Sequence, residues 1–378
     1  MVFWIPAVLM LMTECPLVPQ WTDQPIGRSI PIDLGAELAG VQNAQLLLLD
    51  AKGERLAACV LPGASFDLGE LMPEVWALER SAWLQVFSGS EPVGSPLVAV
   101  PLLSRQVPIM ETASTPEGRS YARVVGWRDE LDVPVEPPVF PDRPPPDAEP
   151  SVQRAWDELV DRMQAEYERQ LEEAAAIREL LPLRTGLRLI PDQLVVIRTD
   201  YGEIKVQMRW DAAPHTAEHF STLARNGYYR DVVFHRIVPY TGSGDPFVIQ
   251  AGDPSATGNG GPGTWLPMER STLPHDFGVI SMARDNDPDS AGSQFFLCLS
   301  REGTARLDGS YTSFGETLSG AGAIRSIANV ELADPETGSP VRPPRILGMR
   351  LVPAPPRMIR QAPEVVDPVA SPADRFPR

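Results

Sequence analysis

FHRIVP (Phe234 to Pro239), PFVIQAGDP (Pro246 to Pro254), GNGGPG (Gly258 to Gly263) and SMARDNDPDSAGSQFF (Ser281 to Phe296) decide the reading of this chain. They run as short apolar strands broken by Gly-rich turns. Arg236 sits among aromatic and apolar residues, and Gln250 and Gln294 stand just before Ala-Gly and Phe-Phe. Phe295 and Phe296 are adjacent, so on a strand one must face away from the other. Nothing in the stretch looks like a nucleophile–base pair or a metal site. GNGGPG lacks the Lys-Ser/Thr of a phosphate loop and reads as a turn-rich loop.

Around this core the same pattern continues. LVVIRTDYGEIKVQMRW (Leu194 to Trp210) is a strand, a tight turn at Asp200-Tyr201-Gly202 and a second strand. PHTAEHFSTLARNGYY (Pro214 to Tyr229) is a helix opened by Pro and ended by Asn-Gly. GAGAIRSIANV (Gly320 to Val330) is a second helix, and PPRILGMRLV (Pro343 to Val352) a closing strand.

FHRIVP, the Gln-containing strand, the SQFF strand and LDGSYTSFG (Leu307 to Gly315) occur in the order found in one family. Over residues 190 to 352 the chain resembles the cyclophilin-type peptidyl-prolyl cis-trans isomerases. The resemblance implies a mainly β fold: a closed eight-stranded antiparallel barrel capped by two helices. It implies that Arg236 carries catalysis and that Phe247, Val248, Phe296 and Leu307 wall a proline pocket. Gln250 and Gln294 would grip substrate backbone, Ala283 and Arg284 would line the groove for the residue before proline, and Tyr311 would close the far rim. No cofactor is implied, and the partners are proline-containing polypeptides.

That chemistry suits the residues. The X–Pro amide must cross a barrier of roughly 20 kcal/mol, because its C–N bond has partial double-bond character. A catalyst needs only to hold the ring and favour the twisted amide, whose nitrogen is more basic. A fixed cation such as Arg236 does this. The alternative is a scaffold that binds proline segments without turnover, or a chaperone-like module. It is motivated by a departure from the family: Thr241 to Pro246 is an extra loop, which extends the rim or shifts Phe247. Arg284, Tyr311 and Arg306 stand where well-known eukaryotic members have Asn, His and Trp; these features look more bacterial.

Outside this block the chain changes character. Residues 1–112 read as a small β-sandwich-like domain. AQLLLLD and RLAACVL flank AKGE, and SAWLQVFSG and SPLVAVPLL flank SEPVG, with Trp76 and Trp83 as core aromatics. The apolar MVFWIPAVLMLM reads as a buried first strand. Residues 113–149 are expected to be a Pro-rich acidic linker. Residues 150–186 hold a long amphipathic helix capped by Ser151 and stopped by Pro182. Its stripe of Val152, Trp156, Leu159, Met163, Tyr167, Leu171, Ala174 and Leu181 is expected to pack on the chain's own domains. The isomerase-like domain spans 187–353, and 354–378 is expected to be a disordered Pro-rich tail.

The 378 residues carry 41 Pro, about twice average usage. A net charge of −17 disfavours binding to a phosphate backbone. Whether Cys15 and Cys59 pair stays open; Cys298, in FFLCLS, reads as a buried small hydrophobe. His215 and His219 are four apart but lack the HExxH pattern, and His235 reads as a structural hydrogen-bonding residue. No stretch approaches a transmembrane length. The lack of an export signal favours the cytoplasm, with export as the alternative.

Overall fold

The computed structural model describes residues 14–38, 41, 44–104, 106–114, 120–129, 138–145, 148–179 and 183–359. The apolar start of the chain and residues 360–378 of the expected tail lie outside them. The chain divides into two units: residues 1–101 with 187–378, and residues 102–186.

In the first unit, two sheets precede the isomerase-like block. Six strands lie in the order Asp23–Pro25, Leu183–Pro191, Glu91–Ser104, Ala82–Ser88, Gln45–Leu49 and Arg55–Val60. A smaller sheet joins Leu17–Pro19, Pro31–Leu34 and Ser65–Asp67. Side chains alternate across a strand, and here both faces are buried. Leu46, Leu48, Leu84, Val86, Leu97 and Ala99 pack with Ile30 and Ile32 of the smaller sheet, as expected for a sandwich. Their neighbours Leu47, Leu49, Trp83, Phe87, Val98 and Val100 instead join the core of the isomerase-like block. That is why Gln45–Leu49 reads QLLLL without polar alternation. The strand Leu183–Pro191 also belongs to this sheet, so residues placed by sequence in the isomerase-like domain, Leu187 and Leu189, are buried in the N-terminal core instead.

The isomerase-like block contains β1 (Gln193–Thr199), β2 (Gly202–Met208), β3 (Arg236–Tyr240), β4 (Pro246–Ala251), β5 (Val279–Met282), β6 (Phe295–Cys298), β7 (Ser313–Ser319) and β8 (Ile346–Pro353). They form one sheet in the order β3-β4-β6-β5-β7-β2-β1-β8. Helix α1 (Pro214–Arg225) starts with Pro at its first turn and ends before Gly227, whose φ of 75° suits glycine. Helix α2 spans Ala321–Ala328. Both bury apolar residues in the barrel core, including Phe220, Ile324 and Ile327. The sheet curls, but no ladder joins its edge strands β3 and β8. Residues just before β3 make the link instead: Phe234 N–H donates to Pro344 O (2.8 Å), Asp231 N–H to Ile346 O (2.8 Å) and Ile346 N–H to Val232 O (2.8 Å). The expected closed barrel is therefore a curled sheet sealed by these irregular segments.

One carboxylate ties the N-terminal sheet to the barrel. Asp192, between Leu183–Pro191 and β1, accepts Nε1–H of Trp83 (3.0 Å), Nε1–H of Trp210 (3.1 Å) and Nε2–H of Gln207 (3.2 Å). Arg357 lies over the Trp83 ring, 3.4 Å from its centroid, and its N–H donates to Gln85 Oε1 (2.9 Å). Ala354 is buried and Arg357 is docked, so the expected tail does not begin at 354. Burial pushes the Asp192 carboxyl up to about 6, while Arg357 and the three N–H donors pull it back. Arg188 makes a second tie, bonding Asp23 and Glu218 of α1.

Within the second unit, residues expected to be linker include a strand: Gln106–Ser114 pairs antiparallel with Ser120–Asp129. SYARVVGWRD is rich in β-branched and aromatic residues, which favour strand over an extended spacer. The long helix runs Pro150–Glu179. It starts one residue before Ser151, whose hydroxyl bonds Glu149 rather than capping, because Pro150 takes the first helical position. Among the described side chains of the apolar stripe, Val152, Leu159 and Leu171 are exposed, and Trp156 lies under Arg143 with Nε1–H on Pro141 O; the side chains of Ala174 and Leu181 lie outside the described residues. Among the described residues, no helix is long and apolar enough to cross a membrane.

Asp192→Ala leaves two buried indole donors without an acceptor and is expected to lower the unfolding free energy by about 2–4 kcal/mol. The pH sign is specific. A carboxyl whose folded pKa exceeds its unfolded value favours the folded state most below the unfolded value, and this contribution is lost as pH rises through about 6. The stability of wild type relative to Asp192→Asn, from urea unfolding, is expected to fall between pH 4.5 and pH 7.5, an interval chosen around that value.

Candidate active site

The alternation that fills the barrel also builds the site. On β3, Ile237 faces the core and Arg236 faces out. On β4, Ile249 and Ala251 face in, while Val248 lies with the outer cluster. On β6, Phe295 and Leu297 face in, while Phe296 and Cys298 face out. Val248, Phe296, Cys298 and Leu307 thus form a second apolar cluster with Val279, Leu273 and Ala212. The two adjacent Phe do part, Phe295 to the core and Phe296 to the outer cluster. Burial pushes the Cys298 thiol up to about 12, so it is an inert hydrophobe there.

Arg236, Phe247, Val248, Gln250, Ala283, Arg284, Phe296, Leu307 and Tyr311 line one cavity of about 130 Å³. The extra residues after Tyr240 close as a turn, with Thr241 N–H on Asp245 O (2.7 Å) and Tyr240 opposite Pro246. Phe247 keeps its place on the cavity wall. Phe296 meets Tyr311 edge-on at 5.7 Å between ring centroids. Arg284 lies 4.6 Å from the Tyr311 ring centroid, and Arg306 lies 4.8 Å from that of Phe247. A neighbouring depression of about 440 Å³ shares Arg236 and Gln250 and adds His235, Ala256, Thr257, Gly258, Thr337 and Ser339.

Arg236 is oriented by a chain of amides. Its Nη1–H donates to Gln250 Oε1 (3.2 Å), and Gln250 Nε2–H donates to Gln294 Oε1 (3.0 Å). Gln294 Nε2 then donates to Gly258 O (2.8 Å) and Gly260 O (2.9 Å). Gln294 therefore spends its amide within the protein, where the sequence reading has it gripping substrate backbone, and it is absent from the cavity wall. The loop that receives it is anchored by the buried Asp253. Its carboxylate accepts Ser255 N–H and Oγ–H (both 2.7 Å) and Gly258 N–H (2.6 Å). Burial pushes that carboxyl up, but these donors and the Gly260 N–H outweigh it and hold it at about 2. A Cβ at Gly260 would collide with the Asp253 carboxylate. Asp253 and Gly260 are absent from the sequence-level site; the GDP and Gly-rich signals mark a turn without saying what it holds.

Behind Phe296 lies another arrangement that sequence did not show. His275 stacks on Phe296, 6.0 Å between centroids. Its Nε2 bonds the Ser281 hydroxyl (3.0 Å) and its Nδ1 bonds Asp308 (2.9 Å). Ser, His and Asp are ordered as in a hydrolytic triad, yet Ser281 and His275 are fully buried. No reacting carbonyl can reach that hydroxyl, so the three groups fix the cavity wall. Burial pushes the His275 imidazole down, against Asp308, and Arg301 with His275 holds Asp308 well below the usual carboxylate range. His235, expected to hydrogen-bond, has neither ring nitrogen in a bond of normal geometry, and burial lowers its pKa.

Comparison with known proteins points to one family. A family model described as cyclophilin type peptidyl-prolyl cis-trans isomerase/CLD matches residues 194–351. Peptidyl-prolyl cis-trans isomerase-like 1 of Mus musculus is 37% identical over 142 residues, 36% of this chain and 80% of that protein. Peptidyl-prolyl cis-trans isomerase of Synechococcus elongatus is 38% identical over 122 residues, 32% of this chain and 78% of that protein. Peptidyl-prolyl cis-trans isomerase-like 2 of Rhizopus delemar is 40% identical over 139 residues, 35% of this chain, but the match spans only 24% of that longer protein. A mammal, a fungus and a cyanobacterium thus all supply relatives, so the bacterial look of some residues places the chain no more narrowly than the family. By these relatives, the chain belongs to the cyclophilin-type peptidyl-prolyl cis-trans isomerase family.

Proposed function

We propose that this protein speeds cis–trans rotation of X–Pro bonds in polypeptides, with Arg236 as the catalytic group, and so assists folding steps limited by proline. The observation that carries the reading is the Arg236 guanidinium on the rim of an apolar cavity walled by Phe247, Val248, Phe296 and Leu307. The proline ring enters the cavity and is held by contact alone. Rotation then requires no bond to break and no proton to move. As the amide twists, its nitrogen loses conjugation and gains a lone pair. A guanidinium donor held at that place interacts more strongly with the twisted amide than with the planar one, and only such a difference speeds the step.

Arg236 suits this because its charge is permanent and its donors are fixed in a plane. Gln250 holds one donor by accepting it and leaves the others for substrate. Ala283 and Arg284 flank the approach of the residue before proline, and Tyr311 bounds the rim. Gln294, Gly260 and Asp253 act through Gln250, as positioning residues. The N-terminal sheet, sharing a core with the barrel, serves as a fixed buttress to the isomerase rather than a separable module.

The test is exchange NMR on an Ala-Pro peptide with the full chain. Wild type is expected to speed exchange, and Arg236→Ala to lose about 100-fold or more of kcat/KM while remaining folded. Arg236→Lys is expected to recover only part, because a point charge lacks the planar donors. Binding without faster exchange would make the groove a scaffold and sink the enzyme reading. Asp253→Ala and Gly260→Ala are each expected to lower kcat/KM by about tenfold with the apolar cavity intact. Unchanged kinetics in both would disconnect the loop from Arg236.

A further inference from the structure

The groove departs from the charge of the whole chain. Acidic residues outnumber Lys and Arg, 50 to 33. Several arginines near the surface are paired: Arg188 with Asp23 and Glu218, Arg209 with Asp211, and Arg301 with Asp308. Arg236, Arg284 and Arg306 are not. Among the described residues, none of the three has a carboxylate within ion-pair distance. Two of them are nonetheless held in place on rings of the cavity wall. Arg284 lies on Tyr311 and is fixed by donation to Ser310 O (2.9 Å) and Asp285 O (2.6 Å). Arg306 lies on Phe247. All three backbone acceptors of Arg284, Ser310 O, Asp285 O and Asn286 O, are neutral, so its charge is uncompensated.

We propose that this isomerase selects proline segments bearing an acidic side chain next to the proline, recognised by Arg284 and Arg306 at the rim of the proline cavity. The proposal rests on the reading of that cavity as the isomerase site. Nearby carboxylates make no ion pair with the rim arginines. Asp308 is offset by Arg301, while Asp245, Asp287 and Asp289 keep their charge but bond neutral donors, the Ser243 hydroxyl and backbone N–H groups, away from the two guanidiniums. Acidic residues elsewhere on the chain are screened beyond about 8 Å at physiological salt, so a substrate in the groove feels chiefly the rim. Guanidinium groups already held against a ring lose little freedom when they pair with a carboxylate. Lysine beside the proline meets like charge.

The experiment uses the full chain and three peptides matched except for Glu, Ala or Lys flanking the proline. Exchange rates are measured at about 20 mM and about 500 mM salt, on either side of the screening range. The expected order of kcat/KM is Glu above Ala above Lys, with a Glu-to-Lys ratio of about tenfold at low salt that shrinks at high salt. Arg306→Gln and Arg284→Gln are each expected to narrow that ratio, and Arg306→Glu to narrow it further. A ratio within about twofold at low salt, with the Ala peptide turned over, overturns the preference and leaves the isomerase reading standing. A ratio that neither variant moves overturns the assignment to these two arginines. No turnover of any peptide overturns the isomerase reading and this proposal with it.

Discussion

A sheet buried on both faces governs this molecule. Each residue from Leu46 to Leu49, from Ala82 to Phe87 and in the middle of Glu91–Ser104 must be apolar or fully hydrogen-bonded, because there neither face meets water. One face closes the N-terminal sandwich, and the other supplies part of the wall that β1, β2 and α1 pack against. Polar groups in that layer are correspondingly few and fully engaged. Gln85 donates to Val93 O (3.0 Å) and Gly94 O (3.1 Å), and Asp192 collects two indoles and an amide. An ionised Asp192 is costly to bury, and its raised pKa expresses that cost. What it gains is registry: the indoles of Trp83 and Trp210, one from each layer, reach one acceptor only when the layers sit in a single arrangement.

The site inherits its rigidity from this frame. Strands whose inner residues fill a packed core hold their outer residues at fixed spacing, and those outer residues are the cavity. The polar part is rigid for another reason. Asp253 is inside, strongly acidic, and surrounded by N–H and O–H donors, so the loop it anchors has one favourable geometry. From that loop two amide groups, Gln294 and Gln250, pass orientation to Arg236 at an exposed rim. A mobile arginine could not favour the twisted amide over the planar one, since a free guanidinium would follow either. Behind the apolar wall, His275, Ser281 and Asp308 do for Phe296 what the amides do for Arg236.

Much of this is legible in the amino-acid sequence, for identifiable reasons. The strands and both helices of the isomerase-like block declare themselves through period-two apolar runs, an N-terminal Pro and the Asn-Gly stop, all local signals. Arg236, Phe247 and Phe296 fall into one cavity because they lie in ordered motifs with fixed strand parity. What is not legible depends on distant partners. Nothing near Leu187 announces that its strand joins the N-terminal sheet, since apolar alternation suits either neighbour. Arg357 stands in a Pro-rich run and looks like tail; only Trp83, far away in sequence, makes it a docked residue. The triad-like trio draws on positions 275, 281 and 308, none of which is unusual alone. Gln294 reads as a substrate-gripping amide until the loop carbonyls that occupy it are in view.

The central claim is that proline sits in the Phe247–Phe296–Leu307 cavity while its peptide bond turns beneath Arg236. The most direct measurement is NMR of the full chain with an Ala-Pro peptide, recording intermolecular NOEs and cis–trans exchange peaks in one sample. The account predicts NOEs from the proline ring to the Phe296 ring and Leu307 methyls, in both isomers, with exchange between the bound forms. Proline NOEs to other surfaces, or bound isomers that do not exchange, would contradict it.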